Sequence, residues 1–258
     1  MSRAASRAVT AGAYLLVLAG WWALALANDH PGTLWPAPPE VAEQIWTDRA
    51  ALADNALATL QEAALGFLFG LLLAIAIALV VDRFRTVGEG LQQIALGIYS
   101  LPLIALAPVL VIWTGTGMTT KVVIAALASF FPILINLSQA LRQTDPRALE
   151  LMEIAGANGW QRFARLKLPY ALPPLFAAFT VAAPAAIVGA MLAEWVGAER
   201  GLGLMILFSM TSYDVPVLWA ALIVASALSL ASYGLFAVSG RRLFGWHPSV
   251  HAVRGDLR

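Results

Sequence analysis

The sequence has no cysteine and few charged residues for its length. Cysteine is absent from all 258 residues, which excludes disulfide bonds, thiol catalysis and thiolate metal ligands. Charged residues make up 12% and hydrophobic residues 60% of the chain, whereas a soluble domain has about 25% charged residues. This balance excludes an ordinary soluble domain and indicates a protein with several membrane-spanning segments.

Long apolar stretches follow one another along a single domain, residues 1–258. About 17–25 apolar residues are needed to cross the hydrocarbon core as a helix, and the sequence predicts an all-α fold with six transmembrane helices. The first stretch lacks a convincing cleavage site, so we expect a retained helix and not a signal peptide. The six stretches are Thr10–Ala27, Ala63–Val81, Leu91–Trp113, Val122–Leu141, Leu172–Ala193 and Val215–Val238.

Positive charge is distributed unevenly between the loops. If the N-terminus is cytoplasmic and the spans alternate, only Arg49, Lys121 and Arg200 of the 16 Lys and Arg residues lie on the outer side. Cytoplasmic loops of membrane proteins carry the excess of these residues. This rule predicts that both termini and the polar segment Thr144–Pro174 are cytoplasmic.

Ionisable side chains are almost absent from the six stretches. An ion-coupled secondary transporter requires them near the middle of the bilayer, but Glu194 comes at the outer end of the fifth stretch, where we expect it to be solvated. The chain has no G-x-x-x-x-G-K-[ST] loop for phosphate. His247 and His251 have i,i+4 spacing without a third ligand, so no metal site is predicted. Nor do His, Asp, Glu and Ser cluster as a membrane-embedded enzyme would require.

Small residues recur at every fourth position in two of the stretches. Such spacing lets helix backbones approach closely, so we favour ordinary helix packing; a lining of the transport pathway or a seam between subunits is the alternative. The residues are Gly66, Gly70, Ala74 and Ala78 in the second stretch, and Ala178, Ala182, Ala186 and Ala190 in the fifth, where Glu194 continues the same face.

A few polar and flexible side chains inside the stretches are candidates for a transport pathway. Asn136 lies well inside the fourth stretch, and Ser129 shares its helical face. A polar residue within the membrane is a functional candidate, although an interhelical hydrogen bond is the alternative for Asn136. The pathway candidates are Ser129, Asn136, Met191 and Glu194.

The segment Thr144–Pro174 reads as a docking element. Asp145 followed by Pro146 predicts a helix start, because an Asp side chain caps the first turn and Pro fits it. Leu149, Met152 and Ile154 with Ala155 give this short helix an apolar side, and Glu150 and Glu153 add charge. Gly156 and Gly159 predict a flexible break before a basic amphipathic stretch. A partner that grips the short helix could move two spans; a passive loop is the alternative.

The same segment resembles the EAA loop of permease subunits of ATP-binding cassette importers. That loop has a Glu, a Gly six residues later, and an ending of the form aliphatic-x-Leu-Pro. Here Glu150 takes the acidic position, Gly156 the glycine position and Leu166–Pro169 the ending. The two small residues that usually follow the Glu are replaced by Leu151 and Met152.

Other motifs occur in the order typical of the nitrate/sulfonate/taurine branch of that family, which also includes permeases for pyrimidine precursors and aromatic acids. They are Trp35–Pro38 with Val41, Asn55–Leu60, Gly66, Gly70, Pro102, Pro108, Trp113–Lys121 (WTGTGMTTK), Phe130–Pro132 with Asn136, Glu194 with Gly201–Gly203, and Arg241–Trp246 (RRLFGW). The resemblance therefore extends over most of the chain.

The resemblance implies a type I importer permease fold in a bacterial plasma (inner) membrane, in contact with lipid. It also implies two separate ATP-binding subunits that bind ATP and Mg, a second permease (a copy or a paralogue) and an external solute-binding protein, with no cofactor in this chain and no nucleic acid. The expected ATPase contacts within the coupling segment 144–170 are Leu149, Glu150, Met152, Glu153, Ala155, Gly156 and Asn158. A secondary transporter and a non-transporting scaffold are the alternative functions.

Overall fold

The computed structural model describes residues 3–28 and 34–244, and within them the chain is helical with no strand. His247, His251 and the end of the RRLFGW motif lie outside these residues. The helices are α1 (Arg3–Ala27), α2 (Pro38–Thr47), α3 (Arg49–Arg83), α4 (Arg85–Tyr99), α5 (Leu103–Thr114), α6 (Met118–Arg142), α7 (Pro146–Ile154), α8 (Gly159–Arg162), α9 (Leu168–Glu194), α10 (Leu202–Ser212) and α11 (Val215–Leu243), with a π-helical turn at Phe163–Lys167 between α8 and α9.

Four described helices are long and apolar enough to cross a membrane: α3, α6, α11 and the stretch Gly159–Glu194 that ends in α9. The third predicted stretch is broken, because α4 and α5 meet at a bend of more than 40°. Pro102 occupies the N-cap of α5 with extended backbone (ψ 114°), and a proline offers no backbone donor to continue α4. Counted as one bent span, this pair makes five, and α1 contributes a shorter apolar helix, Gly12–Ala27.

The helices α3, α6 and α9 pack tightly against one another along their small residues. A Cβ on Gly66 would lie 2.9 Å from the backbone N of Ala126, and one on Gly70 would lie 2.7 Å from the Ala126 carbonyl oxygen. On α9, Ala182 and Ala190 are fully buried. The small-residue stripes of α3 and α9 therefore serve close helix packing within the chain.

Tryptophans and α2 brace α11 from one side. The Trp21 and Trp219 rings stack at 5.2 Å between centroids, and Trp21 Nε1 donates to the Pro36 carbonyl at 3.1 Å. Val41 of α2 is 1% exposed in an apolar cluster that also contains Ala221 of α11. Helix α2 therefore packs with its Val41 side against α11. The next helix, α3, begins at Arg49, well before the predicted start of its span.

Candidate functional site

Helix α7 begins where the sequence predicts and projects from the helical core. The Asp145 side chain accepts a hydrogen bond from the Arg147 backbone N at 2.9 Å, and Pro146 follows the cap directly. Thr144 lies just before the cap and is buried, with its hydroxyl donating to the Leu141 carbonyl at 3.2 Å. No residue of α7 itself is fully buried, so its side chains remain available for contact.

The apolar side chains of α7 point in two directions. Leu149 and Met152 are half-buried, whereas Leu151 is 67% and Ile154 84% exposed. Leu151 and Ile154 are three residues apart and share one face of the helix. The prediction that Ile154 joins Leu149 and Met152 on one apolar side is therefore wrong. Leu151, which the sequence marks only as a departure from the family pattern, belongs to the exposed face.

The turn after α7 is a defined corner. Gly156 has φ of +77°, a conformation that an L side chain adopts only with strain. Asn158 then caps α8: its Oδ1 accepts from the Gln161 backbone N at 2.9 Å, and its own N donates to Gln161 Oε1 at 2.9 Å. The predicted break between α7 and α8 is present, these hydrogen bonds orient the chain across it, and its flexibility stays a prediction.

The segment 144–170 forms two ion pairs, of which one lies within the segment and the other joins it to α3. Arg162 Nη1 lies 2.8 Å from Glu153 Oε2, which joins α8 to the end of α7. Lys167 Nζ donates to Asp82 Oδ1 at 2.6 Å, which joins the start of α9 to the end of α3. A cavity of about 770 Å³ bordered by Leu79 and Leu149 separates α7 from α3. The ion pairs therefore join α8 to the end of α7 and the start of α9 to α3, across a segment that leaves a cavity beside α3.

The seven residues that the sequence proposes for a partner contact all lie on or beside α7, and none of them is fully buried. Glu150, Glu153, Ala155, Gly156 and Asn158 are exposed, while Leu149 and Met152 are half-buried. The structure thus brings the seven together in one continuous segment, and it adds Leu151 and Ile154 as its most exposed apolar groups.

At the other end of α3 and α9 lies a polar cluster formed by Asn55, Thr59, Glu62, Lys121 and Glu194, called here the Glu194 cluster. Glu194 is 0% exposed. Its Oε1 accepts from Thr59 Oγ1 at 2.6 Å, and its Oε2 accepts from the Gly203 backbone N at 2.5 Å. The expectation of a solvated Glu194 is therefore wrong, because the loop after α9 folds back over the carboxylate.

A buried ion pair lies in the same cluster. Lys121 Nζ of α6 is 3.0 Å from Glu62 Oε1 of α3, with 11% and 7% of the two side chains exposed. Glu62 Oε2 has no hydrogen-bond donor among the described residues. Sequence reasoning missed this pair, since Glu62 and Lys121 each stand just outside a predicted span and come from different helices. A Glu three residues after Thr59, hence on the same helical face, was the available signal.

The four pathway candidates do not form one group. Ser129 is fully buried, and its hydroxyl donates to carbonyls of its own helix at Ala125 and Ala126. Asn136 is exposed and donates to its own helix, from Nδ2 to the Pro132 carbonyl at 2.8 Å. Met191 is half-buried one turn before Glu194. A common pathway through these residues stays a prediction.

Among the described residues, no three His, Asp or Glu side chains are grouped as a metal ion would require. The charged side chains are instead paired at the two ends of the helical core.

The family model for binding-protein-dependent transport system inner membrane components matches residues 66–245. The chain belongs to this family. The match covers α6, α7, the connection to α9 and the loop after Glu194, whereas Asn55, Thr59 and Glu62 of the Glu194 cluster precede it. The chain is therefore a permease subunit of an ATP-binding cassette transporter, as the EAA resemblance implies.

Curated relatives match almost the whole chain. It is 32% identical over 237 residues to the riboflavin transport system permease protein RibX of Chloroflexus aurantiacus, covering 91% of this chain and 88% of that one. It is 28% identical to the formylaminopyrimidine transport permease protein ThiX of Halalkalibacterium halodurans, covering 90% and 94%. It is 27% identical to the taurine transport system permease protein TauC of Escherichia coli, covering 95% and 92%.

A solved structure shares the fold. Inward-facing structures of the MetNI methionine ABC transporter superpose with a TM-score of 0.64 at 20% identity, covering 76% of this chain and 95% of that one. This likeness establishes the type I importer permease fold that the sequence predicts, and at this identity it bears on the fold alone.

Proposed function

We propose that this permease forms a transmembrane pore with a second permease and couples solute import to two separate ATPase subunits that bind α7. The observation that carries the proposal is the exposed face of α7, where Leu151 (67%) and Ile154 (84%) stand beside Glu150. An apolar pair rimmed by charge on a projecting helix is typical of a protein contact.

The ion pairs of α7 and of the segment after it would transmit a movement of α7 to the membrane helices α9 and α3. A load applied to α7 passes through the Glu153–Arg162 pair into α8, and then through the π-helical turn into α9. The Lys167–Asp82 pair transfers part of it to α3. ATP binding that closes the two ATPases would pull both α7 helices together and favour one of two pore states, since a ligand shifts an equilibrium by its differential affinity.

The proposed orientation follows the distribution of positive charge. It places both termini and α7 in the cytoplasm of a bacterium, and the Glu194 cluster on the outer side, where a solute-binding protein would dock. ATP hydrolysis belongs to the partner ATPase, which would bind ATP and Mg. Lys121, counted as outer in the sequence, lies in the Glu194 cluster, which agrees with this orientation.

For the substrate, we favour a small heteroaromatic solute over a sulfonate. The relatives with the higher identities are named for riboflavin and formylaminopyrimidine transport, at 32% and 28%. The predicted membrane stretches of α3, α6, α9 and α11 (residues 63–81, 122–141, 172–193 and 215–238) carry no Asp, Glu, Lys, Arg or His side chain. A sulfonate would cross this region without a counter-charge, whereas a neutral ring needs none.

Co-purification in mild detergent tests the partner contact. The variant Leu151→Asp with Ile154→Asp puts two carboxylates on the exposed face of α7, and we expect it to lose the ATPase that the unmodified permease retains. Gln143→Asp, an exposed position just before α7, is the matched control and should retain it. Retention of the ATPase by the double variant, inserted and folded, would refute α7 as the docking site.

Uptake into proteoliposomes that contain the permease, its ATPases and its binding protein tests the substrate. Riboflavin, formylaminopyrimidine and taurine are offered at equal concentration with ATP inside. ATP-dependent uptake of one of the two heterocycles is the expected result, and uptake of taurine alone would contradict the preference.

A further inference from the structure

Helix α10 begins without a cap of its own. Its N-cap residue, Gly201, has no side chain to offer, and the first amides of a helix lack partners within the helix. Here they are bonded by other helices, in order along the chain. Gly201 N donates to Asn55 Oδ1 at 2.7 Å, Leu202 N to Thr59 Oγ1 at 2.9 Å and Gly203 N to Glu194 Oε2 at 2.5 Å.

The backbone of this loop is shaped around the Glu194 carboxylate. Gly201 has φ of +136°, and a Cβ there would overlap the carboxylate itself. A Cβ on Gly203 would lie 2.8 Å from Glu194 Oε2 and would also overlap the Met191 carbonyl. Both glycines are therefore required for the close approach, and the carboxylate occupies a space that the loop leaves for it.

A carboxyl group also suits this place. The N-terminal end of a helix carries a partial positive charge, which a carboxylate stabilises. The Thr59 hydroxyl forms two hydrogen bonds: it accepts from Leu202 N and donates to Glu194 Oε1 at 2.6 Å. The cap of α10 is thus divided between α3 and α9, two helices that cross the membrane.

The rest of α10 is only partly buried. Of its residues only Leu202, Gly203 and Ser209 are buried, whereas Phe208 is 62% exposed. At the far end, Tyr213 adopts a left-handed φ of 58° before α11 begins. The N-terminal cap is therefore the polar attachment of a helix that is otherwise held by partly buried apolar side chains, among them Met205 and Ile206.

We propose that Glu194 is a positioning residue that fixes α10 to α3 and α9, so that the three helices move as one unit during transport. α9 runs without interruption from Leu168 to Glu194, and its first residue follows Lys167, the partner of Asp82. A displacement that enters α9 at Lys167 therefore reaches α10 through Glu194. The consequence for transport rests on the proposed function, whereas the mechanical unit does not.

Spin-label distances test the mechanical unit directly. Because the chain has no cysteine, Leu57→Cys on α3 and Phe208→Cys on α10, both exposed, give one labelled pair per chain, which is diluted with unlabelled permease so that only distances within one chain are measured. We expect a single narrow distance distribution in the permease that carries Glu194, unchanged by ATP in the assembled complex. A distance that shifts with ATP would overturn the proposal.

Two variants in the labelled background test the role of the cap. Glu194→Gln keeps the shape but replaces one acceptor oxygen by a donor, so residue 194 can no longer accept from both Thr59 Oγ1 and Gly203 N. Thr59→Val keeps the size but removes the hydroxyl. We expect a broader distribution with a second population in both, and recovery of the narrow one in Thr59→Ser. Narrow distributions in both Glu194→Gln and Thr59→Val would overturn the proposal.

Transport measurements distinguish a positioning role of Glu194 from simple destabilisation of the protein. In proteoliposomes we expect Glu194→Gln to reduce solute uptake about tenfold per ATP hydrolysed, with the ATPase still bound and active. Ser209→Ala is the control, since Ser209 is buried on the same helix but donates only to its own Met205 carbonyl, and it should transport normally. Equal loss of uptake and ATPase activity would refute positioning, as would unchanged coupling. If even the unmodified chain binds no ATPase, the proposed function fails while the label distances stand.

Discussion

Lys167 and Asp82 form an ion pair, with Nζ 2.6 Å from Oδ1, that closes one end of the pairing between α3 and α9. At the opposite end of the same two helices, Thr59 donates to Glu194 at 2.6 Å. Between these contacts, Ala63 of α3 shares an apolar cluster with Ala186 and Ala190 of α9, and the Phe67 and Phe179 rings meet at 5.3 Å between centroids. The helices α3 and α9 are thus joined by a polar contact at each end. The Lys167–Asp82 contact lies next to the segment that contains α7 and α8, and the Thr59–Glu194 contact lies next to α10.

Reversing the Lys167–Asp82 pair should restore function that either single change removes. Asp82→Lys or Lys167→Asp alone leaves like charges facing each other in a partly buried site. We expect each to lower the melting temperature and to reduce ATP-driven uptake. The double variant Asp82→Lys with Lys167→Asp rebuilds the pair, and at least half of the uptake should return. Arg200→Asp, next to the exposed Asp54 at 3.7 Å, is the comparison: solvent screens that pair, so little change is expected.

Loss of one member of the buried Glu62–Lys121 pair should be costly. Glu62→Gln leaves the Lys121 ammonium without its counter-charge at a site where both side chains are about nine-tenths buried. Breaking such a pair costs about 3–5 kcal/mol, which should appear as a large fall in melting temperature in detergent. The exposed Glu43→Gln should leave it unchanged. Equal melting temperatures for the two variants would show that water reaches the pair.

Gly66→Ala should destabilise the packing of α3 on α6. The added methyl group would lie 2.9 Å from the backbone at Val122 and Ala126, and backbone cannot rotate away as a side chain can. Overpacking of this kind costs about 1–3 kcal/mol. Gly234→Ala on α11 meets nothing within 4 Å and should be neutral or slightly stabilising, because alanine favours helix. Thermal unfolding of both variants checks this, and a neutral Gly66→Ala would contradict the close approach.

Gly156→Ala should weaken ATPase binding through the backbone alone. No atom lies within 4 Å of a Cβ at this position, but its φ of +77° costs an L residue about 1–2 kcal/mol. We expect the corner after α7 to shift and the ATPase to dissociate faster. Gly159→Ala is a close control, since it also has open space but no positive φ. Dissociation rates measured on immobilised permease compare the two, and equal rates would show that the corner plays no part in binding.

The start of α7 was predictable because a helix cap is local: Asp145 and Pro146 determine it without reference to the rest of the chain. Long apolar runs in the sequence likewise predict α3, α6, α9 and α11. The break between α4 and α5 was harder to predict, because proline is tolerated within membrane helices when neighbours satisfy the freed carbonyls. Pro108 and Pro132 lie inside helices, whereas Pro102 marks a bend.

By itself the sequence determined the class of protein, the positions of its long helices and the family motifs of α7, because hydrophobic runs, caps and motifs are read along the chain. Only the tertiary structure decided the burial of Glu194, its bonds to Thr59 and Gly203, and the pairing of Glu62 with Lys121. These contacts join residues far apart in the chain. Whether a carboxylate at a helix end is solvated or enclosed depends on which loop folds over it, and that is set by packing between helices.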